Sequence, residues 1–390
     1  MRFAKMHFII KLKYSMLKTK FNYIMTQNKI KQIRSFGQNI WLDYLDREIL
    51  DSGKLKGMIE DDGISGITSN PSIFEKAIGK GSDYDNDIVS LSRTKRSYEL
   101  IYFSLAVKDI QRAADLFEPL YKISNGQDGF VSIEVSPRLA HDTEGTISQA
   151  RELWRAVHRK NAMIKIPATT EGLGAIRKCI SEGINVNITL LFGLPRYKEV
   201  VEAYLSGLED RLKNGKSIDQ IKSVASFFLS RIDVKTDPEL MSKGLSDLKG
   251  QVAIASAKMA YQVYKEIFTG ERFKDLEKRG AKHQRLLWAS TTTKDPDFSD
   301  VKYVASLIGP ETINTVTLET LDAFRDHGRA DNRLETDMDK AAKILTKLKE
   351  KDIGLDSITQ NLEKEGIEKF NNAYDNILEV IKKKRIEQLA

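Results

Sequence analysis

Residues 162–168 read Ala-Met-Ile-Lys-Ile-Pro-Ala, a short apolar run with one lysine at its centre and a proline two residues later. Its length, its apolar content and the proline that closes it predict a buried strand that stops abruptly. On a strand alternate side chains share a face, so Ile164 and Ile166 point one way and Lys165 the other. An ammonium is costly to bury, so a lone lysine in such a run must be paired, desolvated or reactive. Lys165 is therefore a candidate Schiff-base nucleophile; as an isolated residue it equally suits a buried ion pair with Glu134.

Working outward, strand-like runs alternate with helix-length segments. The strands fall at 39–45, 66–70, 129–136, 162–168, 185–192, 223–232, 285–291 and 311–317, and amphipathic segments at 98–120, 146–159, 171–183, 196–214, 252–269 and 318–326. Eight strands separated by helices predict parallel pairing through crossover helices. Residues 39 to 328 span 290 positions, against about 250 for an eight-stranded α/β barrel; the long segment 80–128 accounts for the surplus. The expected fold is α/β, an eight-stranded parallel (β/α)8 TIM barrel with extra C-terminal helices over 339–384, and a doubly wound open sheet is the competing architecture. Without a solenoid-length repeat or a low-complexity linker, residues 26–390 read as one domain.

Composition narrows the function classes. The chain has 390 residues, 41% hydrophobic and 30% charged, as suits a soluble globular protein, and no apolar run approaches the roughly 20 residues of a membrane span. Its formal charge of +7 suggests nucleic-acid binding until its distribution is read. Arg2, Lys5, Lys11, Lys13, Lys18 and Lys20 lie within residues 1–24, which hold no acid, so the remaining 366 residues carry only +1. The body is nearly neutral, and no nucleic-acid partner is expected. Residues 1–25 read as a basic N-terminal extension, in order of preference a mis-set start ahead of Met25, a disordered appendage or a targeting segment; Lys11 and Lys13 interrupt the apolar core a secretory signal needs. Cys179, alone, excludes an internal disulfide and sits in a helical pattern as a buried thiol; a reducing, cytoplasmic setting fits. The five histidines show no metal-ligand spacing, and Asp142 and Glu144 fall where they would start a helix, so no metal is expected. Gly172 and Gly174 match neither the dinucleotide nor the P-loop pattern, and no cofactor is expected.

The chemistry lies in polar residues that recur near the carboxyl ends of the strands, where such barrels build their sites. These are Asp43 on the first, Thr68 and Asn70 on the second, Ser132 and Glu134 on the third, Lys165 on the fourth, Asn187 and Thr189 on the fifth, Ser226 on the sixth and Ser290 on the seventh. A neutral amine attacks a ketone to give an imine, and the protonated imine draws electrons from the adjacent carbon–carbon bond. Asp43 and Glu134 supply two carboxylates for the proton transfers this needs, and Thr189 a hydroxyl. Arg231, beyond the sixth strand, offers a two-toothed grip on a phosphate, with Lys294 as a second cation. Each residue has a plainer reading: Asp43 capping the next helix, Asn70-Pro71 making a turn, Asn187 and Thr189 satisfying buried backbone, Arg231 pairing with Asp233. Their coincidence on one rim is what the plainer readings leave unexplained.

These segments resemble the transaldolase family, in particular its longer bacterial subfamily, within the class I Schiff-base aldolases. Asn39-Ile-Trp-Leu-Asp43-Tyr-Leu is similar to the first strand of that subfamily, and Gly66-Ile-Thr-Ser-Asn-Pro-Ser72 to its Asn-Pro-Ser signature. Ser132-Ile-Glu134-Val, Ile164-Lys165-Ile-Pro-Ala-Thr169, Asn185-Val-Asn-Ile-Thr189-Leu-Leu-Phe192, Trp288-Ala-Ser290-Thr and Asp322-Ala-Phe-Arg-Asp-His-Gly328 are similar to further segments. The resemblance covers roughly residues 30 to 385. It implies transfer of a dihydroxyacetone unit from sedoheptulose 7-phosphate to glyceraldehyde 3-phosphate, in the non-oxidative pentose phosphate pathway. It also implies an imine on Lys165, with Asp43 the acid–base group for cleavage and Glu134 with Thr189 handling protons and water. Asn70, Asn187 and Ser226 would hold the dihydroxyacetone portion, and Arg231 the phosphate. Shorter members carry an arginine soon after the serine matching Ser290; this chain reads Ser290-Thr-Thr-Thr-Lys294 instead. A fructose 6-phosphate type of aldolase, and a catalytically silent barrel that binds sugar phosphate or RNA, are the alternatives. Either a monomer or a homodimer is compatible with the sequence.

Overall fold

A computed structural model describes residues 28–94 and 96–389. Eight strands, β1 (Gln38–Leu42), β2 (Gly66–Ile67), β3 (Phe130–Glu134), β4 (Ala162–Pro167), β5 (Val186–Leu191), β6 (Ser223–Phe228), β7 (Arg285–Ala289) and β8 (Thr312–Val316), close into a barrel in chain order. Every neighbouring pair is parallel, including β1 with β8, so no open sheet edge remains. The barrel, not the open doubly wound sheet, is the architecture. The proposed extension over residues 1–25 lies outside the described residues.

Side chains two apart on each strand point into the barrel. Trp41, Phe130, Met163, Val224, Leu287, Ala289 and Ile313 form an apolar plug inside it. A second, larger core holds Ile164, Ile166, Ile188 and Leu286 against the surrounding helices. Gly66 is a requirement of the plug, because a Cβ there would sit 2.5 Å from the Trp41 indole. The same alternation carries the chain from plug to site: Trp41 is followed by Asp43, Met163 by Lys165 and Val224 by Ser226. Lys165 is thus opposite to Ile164 and Ile166, as its strand period requires.

The crossover helices start on side-chain caps. Ser97 caps Tyr98–Ile123, Asp142 caps Thr143–Val157, Thr169 caps Thr170–Glu182 and Thr317 caps Leu318–His327, each side-chain oxygen accepting a backbone N–H of the first turn. Helices Leu194–Lys213, Ser230–Ser242 and Val252–Phe268 complete the outer ring. The surplus segment 80–128 holds a short helix, Asp85–Ser92, and the whole of the long Tyr98–Ile123. Two expectations need correction. The second strand stops at Ile67, because Asn70 caps the helix Pro71–Gly79. The sixth stops at Phe228, and Ser230 and Arg231 open the next helix.

Beyond residue 337 the chain forms two helices, Met338–Glu350 and Leu355–Leu389. The second crosses the carboxyl end of the barrel. It pairs through Glu363 with Arg196 (3.4 Å), through Glu365 with Lys235 (2.7 Å), through Asp375 with Arg138 and through Lys384 with Asp85 (2.6 Å). Tyr374 donates to Glu99 at 2.6 Å and Asn376 to Glu75 at 2.8 Å. These partners follow β2, β3, β5 and β6, so one helix ties together both sides of the mouth. Cys179 is fully buried in Thr170–Glu182, and burial pushes its thiol pKa up to about 12. Among the described residues no helix is long and apolar enough to cross a membrane.

Candidate active site

At the carboxyl end of the strands lies a cavity of about 600 Å³. Eight of the residues singled out from the sequence line it: Asp43, Thr68, Asn70, Lys165, Ser226, Arg231, Ser290 and Lys294. Lys165 rises from the middle of β4, only 4% exposed, with Nζ 3.1 Å from Glu134 Oε2 and donating at 3.1 Å to the Ser69 carbonyl. The register explains the pairing, since Glu134 on β3 and Lys165 on β4 are direct neighbours. The ion pair and the reactive-amine reading are therefore compatible: the pair exists, and its nitrogen faces a cavity.

Asp43 and Glu134 lie within electrostatic reach of the same amine. Burial raises both carboxyls above the ordinary range, the Lys165 charge pulling each back in part; Asp43 also pushes Glu134 up. Thr68 Oγ1 sits 2.7 Å from Asp43 Oδ1 and 2.7 Å from Thr315 Oγ1, which fixes the carboxylate's orientation. Asp43 does not cap the next helix; Asp46 does, accepting from Ile49 N at 2.8 Å.

Asn187, Ser132 and Ser226 form a buried chain across three strands. Ser226 Oγ donates to Asn187 Oδ1 at 2.7 Å, and Asn187 Nδ2 donates to Ser132 Oγ at 3.0 Å. Thr189, two residues beyond Asn187 on the same face, is fully buried, and its hydroxyl has no hydrogen-bond partner. Such an orphan is uncommon, and satisfying it needs water or substrate. Glu134, Asn187 and Thr189 thus stand behind the cavity wall rather than in its lining. Asn70 lines the cavity while its Oδ1 accepts from Ile73 N at 3.1 Å, so it is both cap and lining. Ser290 is not on β7; its backbone is left-handed (φ 54°) and its Oγ lies 2.9 Å from Ser230 Oγ, tying the ends of β6 and β7.

Arg231 does not pair with Asp233, whose carboxylate is taken by Tyr303 (2.8 Å), Lys302 (3.1 Å) and the Ala253 N–H (2.7 Å). The guanidinium lines the cavity instead, beside Lys294. Phe228, Lys76, Lys369 and Phe370 are among the lining residues that the sequence alone did not single out. Phe370 lies with its ring centroid 5.8 Å from Lys165 Nζ. It stands on the buried stripe of a helix that is nearly two hundred residues distant in the chain, and a period-3.6 pattern names a face without naming what the face meets. Phe228 was open to the strand alternation that selected Ser226. Among the described residues, no three His, Cys, Asp or Glu side chains converge to hold a metal ion.

A closed parallel barrel with a lysine, two raised carboxyls and basic groups at the carboxyl ends of its strands belongs among the barrel enzymes that act on small polar substrates. The family described as Transaldolase/Fructose-6-phosphate aldolase matches residues 40–381. Transaldolase 2 of Nostoc punctiforme is 48% identical over 374 residues, 92% of this chain and 98% of that protein. Transaldolase of Trichodesmium erythraeum is 48% identical over 373 residues with the same coverage, and that of Saccharopolyspora erythraea 44% over 361. The chain belongs to the transaldolase family.

Proposed function

We propose that the protein is a cytoplasmic Schiff-base transaldolase that moves a dihydroxyacetone unit between sugar phosphates, from sedoheptulose 7-phosphate to glyceraldehyde 3-phosphate. The products are erythrose 4-phosphate and fructose 6-phosphate. The observation that carries the mechanism is the Lys165–Glu134 pair, 3.1 Å apart and facing a cavity that also holds Asp43 and Arg231. A carboxyl raised by burial and 3.1 Å from the amine can accept a proton from it, leaving the amine lone pair free. That amine adds to the donor ketone; Glu134, through a water held by the Thr189 hydroxyl, protonates the departing oxygen, and water leaves as the imine forms. Asp43 then accepts the proton of the hydroxyl on the far carbon of the scissile bond. The bond breaks, its electrons pass to the protonated imine nitrogen, and the aldehyde product departs. The enamine left on Lys165 attacks the acceptor aldehyde, Asp43 returns the proton to the new alkoxide, and hydrolysis frees the ketose.

The Ser226–Asn187–Ser132 chain and Asn70 supply donors and acceptors for the hydroxyls of the three-carbon unit. Arg231, in the first turn of Ser230–Ser242, combines a guanidinium with the helix dipole for the phosphate. Borohydride added with fructose 6-phosphate tests the reading, because reduction fixes the imine as a secondary amine. Peptide mapping is expected to place the added mass on Lys165. Label on another lysine, or none during turnover, refutes the mechanism.

A further inference from the structure

The cavity has a cationic mouth that the barrel alone does not build. Arg231 comes from the first turn of the helix Ser230–Ser242, Lys294 from the segment after β7, Lys76 from the helix Pro71–Gly79, and Lys369 from the C-terminal helix Leu355–Leu389. All four line the same cavity, whose wall also carries Lys80 and the carboxylates Asp46, Glu48, Asp83 and Glu319. Arg231 and Lys294 depress the pKa of Lys369, and Lys76 depresses both lysines, each beneath a larger effect of burial, so the four charges feel one another. Among the described residues none of the four has a carboxylate within 4 Å, although most lysines and arginines nearby are paired. The acids closest to them are engaged elsewhere. Glu365 binds Lys235 at 2.7 Å, Glu75 accepts from Asn376 at 2.8 Å, and Glu319 is held by Thr317 and its own backbone N–H. Asp46 also lines the cavity and is taken up by Tyr44 and Ile49 N. Glu319 lies within electrostatic reach of Lys76 and Lys294, but no carboxylate among the described residues forms an ion pair with any of the four, so their charges stay open to an anionic group in the cavity.

The placement of Lys369 is fixed by its helix. Gly366, one turn earlier, lies so close to β5 that a Cβ would fall 2.9 Å from Leu190 Cδ2. Phe370, beside Lys369, reaches the catalytic amine. The helix therefore presents an aromatic ring toward the reacting end of the cavity and an ammonium along its rim.

We propose that Lys369 and Lys76 complete, with Arg231 and Lys294, a phosphate clamp that spans the gap between barrel and C-terminal helix, so that Lys369 determines the preference for phosphorylated donors. The clamp rests on the transaldolase reading for its substrate but binds phosphate in its own right.

The test compares wild type with Lys369→Gln and Lys369→Arg, each with fructose 6-phosphate and with unphosphorylated fructose as donor, and titrates inorganic phosphate by calorimetry. Lys369→Gln is expected to lower the ratio of kcat/KM for phosphorylated over unphosphorylated donor by about tenfold, the size expected for one exposed charge-assisted contact. The loss should lie in KM, phosphate affinity should fall in parallel, and Lys369→Arg should restore most of both. An unchanged ratio with unchanged phosphate affinity overturns the clamp, as does an equal loss on both donors, which marks a packing role. If wild type transfers neither donor, the transaldolase reading falls while the phosphate titration still decides the clamp.

Discussion

At the scale of single residues the site holds charges that the fold would be more stable without. Asp43 has its carboxyl pKa raised by burial, with Lys165 and the Thr68 hydrogen bond only partly opposing. An acid whose folded pKa exceeds its unfolded one binds more protons folded than unfolded between the two values. Its contribution therefore favours folding below the unfolded pKa and is lost as pH rises through the folded one. At neutral pH ionised Asp43 costs stability, a cost that its proposed role in proton transfer accounts for. Asp43→Asn is accordingly expected to melt no lower than the parent at pH 7 while losing about 10²–10⁴-fold in turnover. Trapping of the Lys165 imine by borohydride should persist in that variant, since the proposed mechanism runs imine formation through Glu134. The same raised pKa should place the acid limb of the wild-type pH–rate profile above the ordinary range of an aspartate, and the substitution should remove that limb. A lower melting temperature together with lost imine trapping would assign Asp43 a structural role.

At the scale of elements, each strand's inward residues must pass from plug to site within three or four positions, and Gly66 marks how tightly this is done. Gly66→Ala would drive a methyl into the Trp41 indole, a rigid ring enclosed by the other strands. A loss of about 2 kcal/mol or more is expected, read as a lower urea midpoint at constant slope, with Lys165 chemistry intact in the folded fraction. This tight alternation is also why the barrel was legible in the sequence. All eight strands were open to a period-two reading, and Asp43, Glu134, Lys165, Asn187 and Ser226 were selected by it. It failed where an element ended sooner than its composition suggested. Asn70 and Arg231 read as strand or strand end, yet the chain turns after Ile67 and Phe228 because Asn70 caps one helix and Ser230 opens another. Lys369 and Phe370 were beyond reach, since their meeting with Lys165 depends on where a distant helix lies and no local spacing encodes that.

At the scale of the whole molecule, the C-terminal helix turns a barrel with an open mouth into a half-covered chamber. It is pinned to segments after β2, β3, β5 and β6, and Phe370 stands over the amine. A covered, apolar-flanked amine matters for the direction of the reaction. In the proposed reaction, once the first aldehyde leaves, the enamine on Lys165 can be resolved by a second aldehyde or by protonation and water. Restricting water favours the aldehyde, and this is the physical difference between a transferase and an aldolase built on the same lysine. With fructose 6-phosphate and no acceptor, the protein is therefore expected to stall as a covalent three-carbon adduct, detectable on intact protein after borohydride. Free dihydroxyacetone should accumulate far more slowly than donor is consumed once erythrose 4-phosphate is added. Phe370→Ala opens the cover without touching Lys165, Asp43 or Glu134, so it should raise the share of free dihydroxyacetone relative to transfer product. Rapid acceptor-independent release by wild type would make the chain an aldolase, and an unchanged product ratio in Phe370→Ala would remove the helix from the control of water.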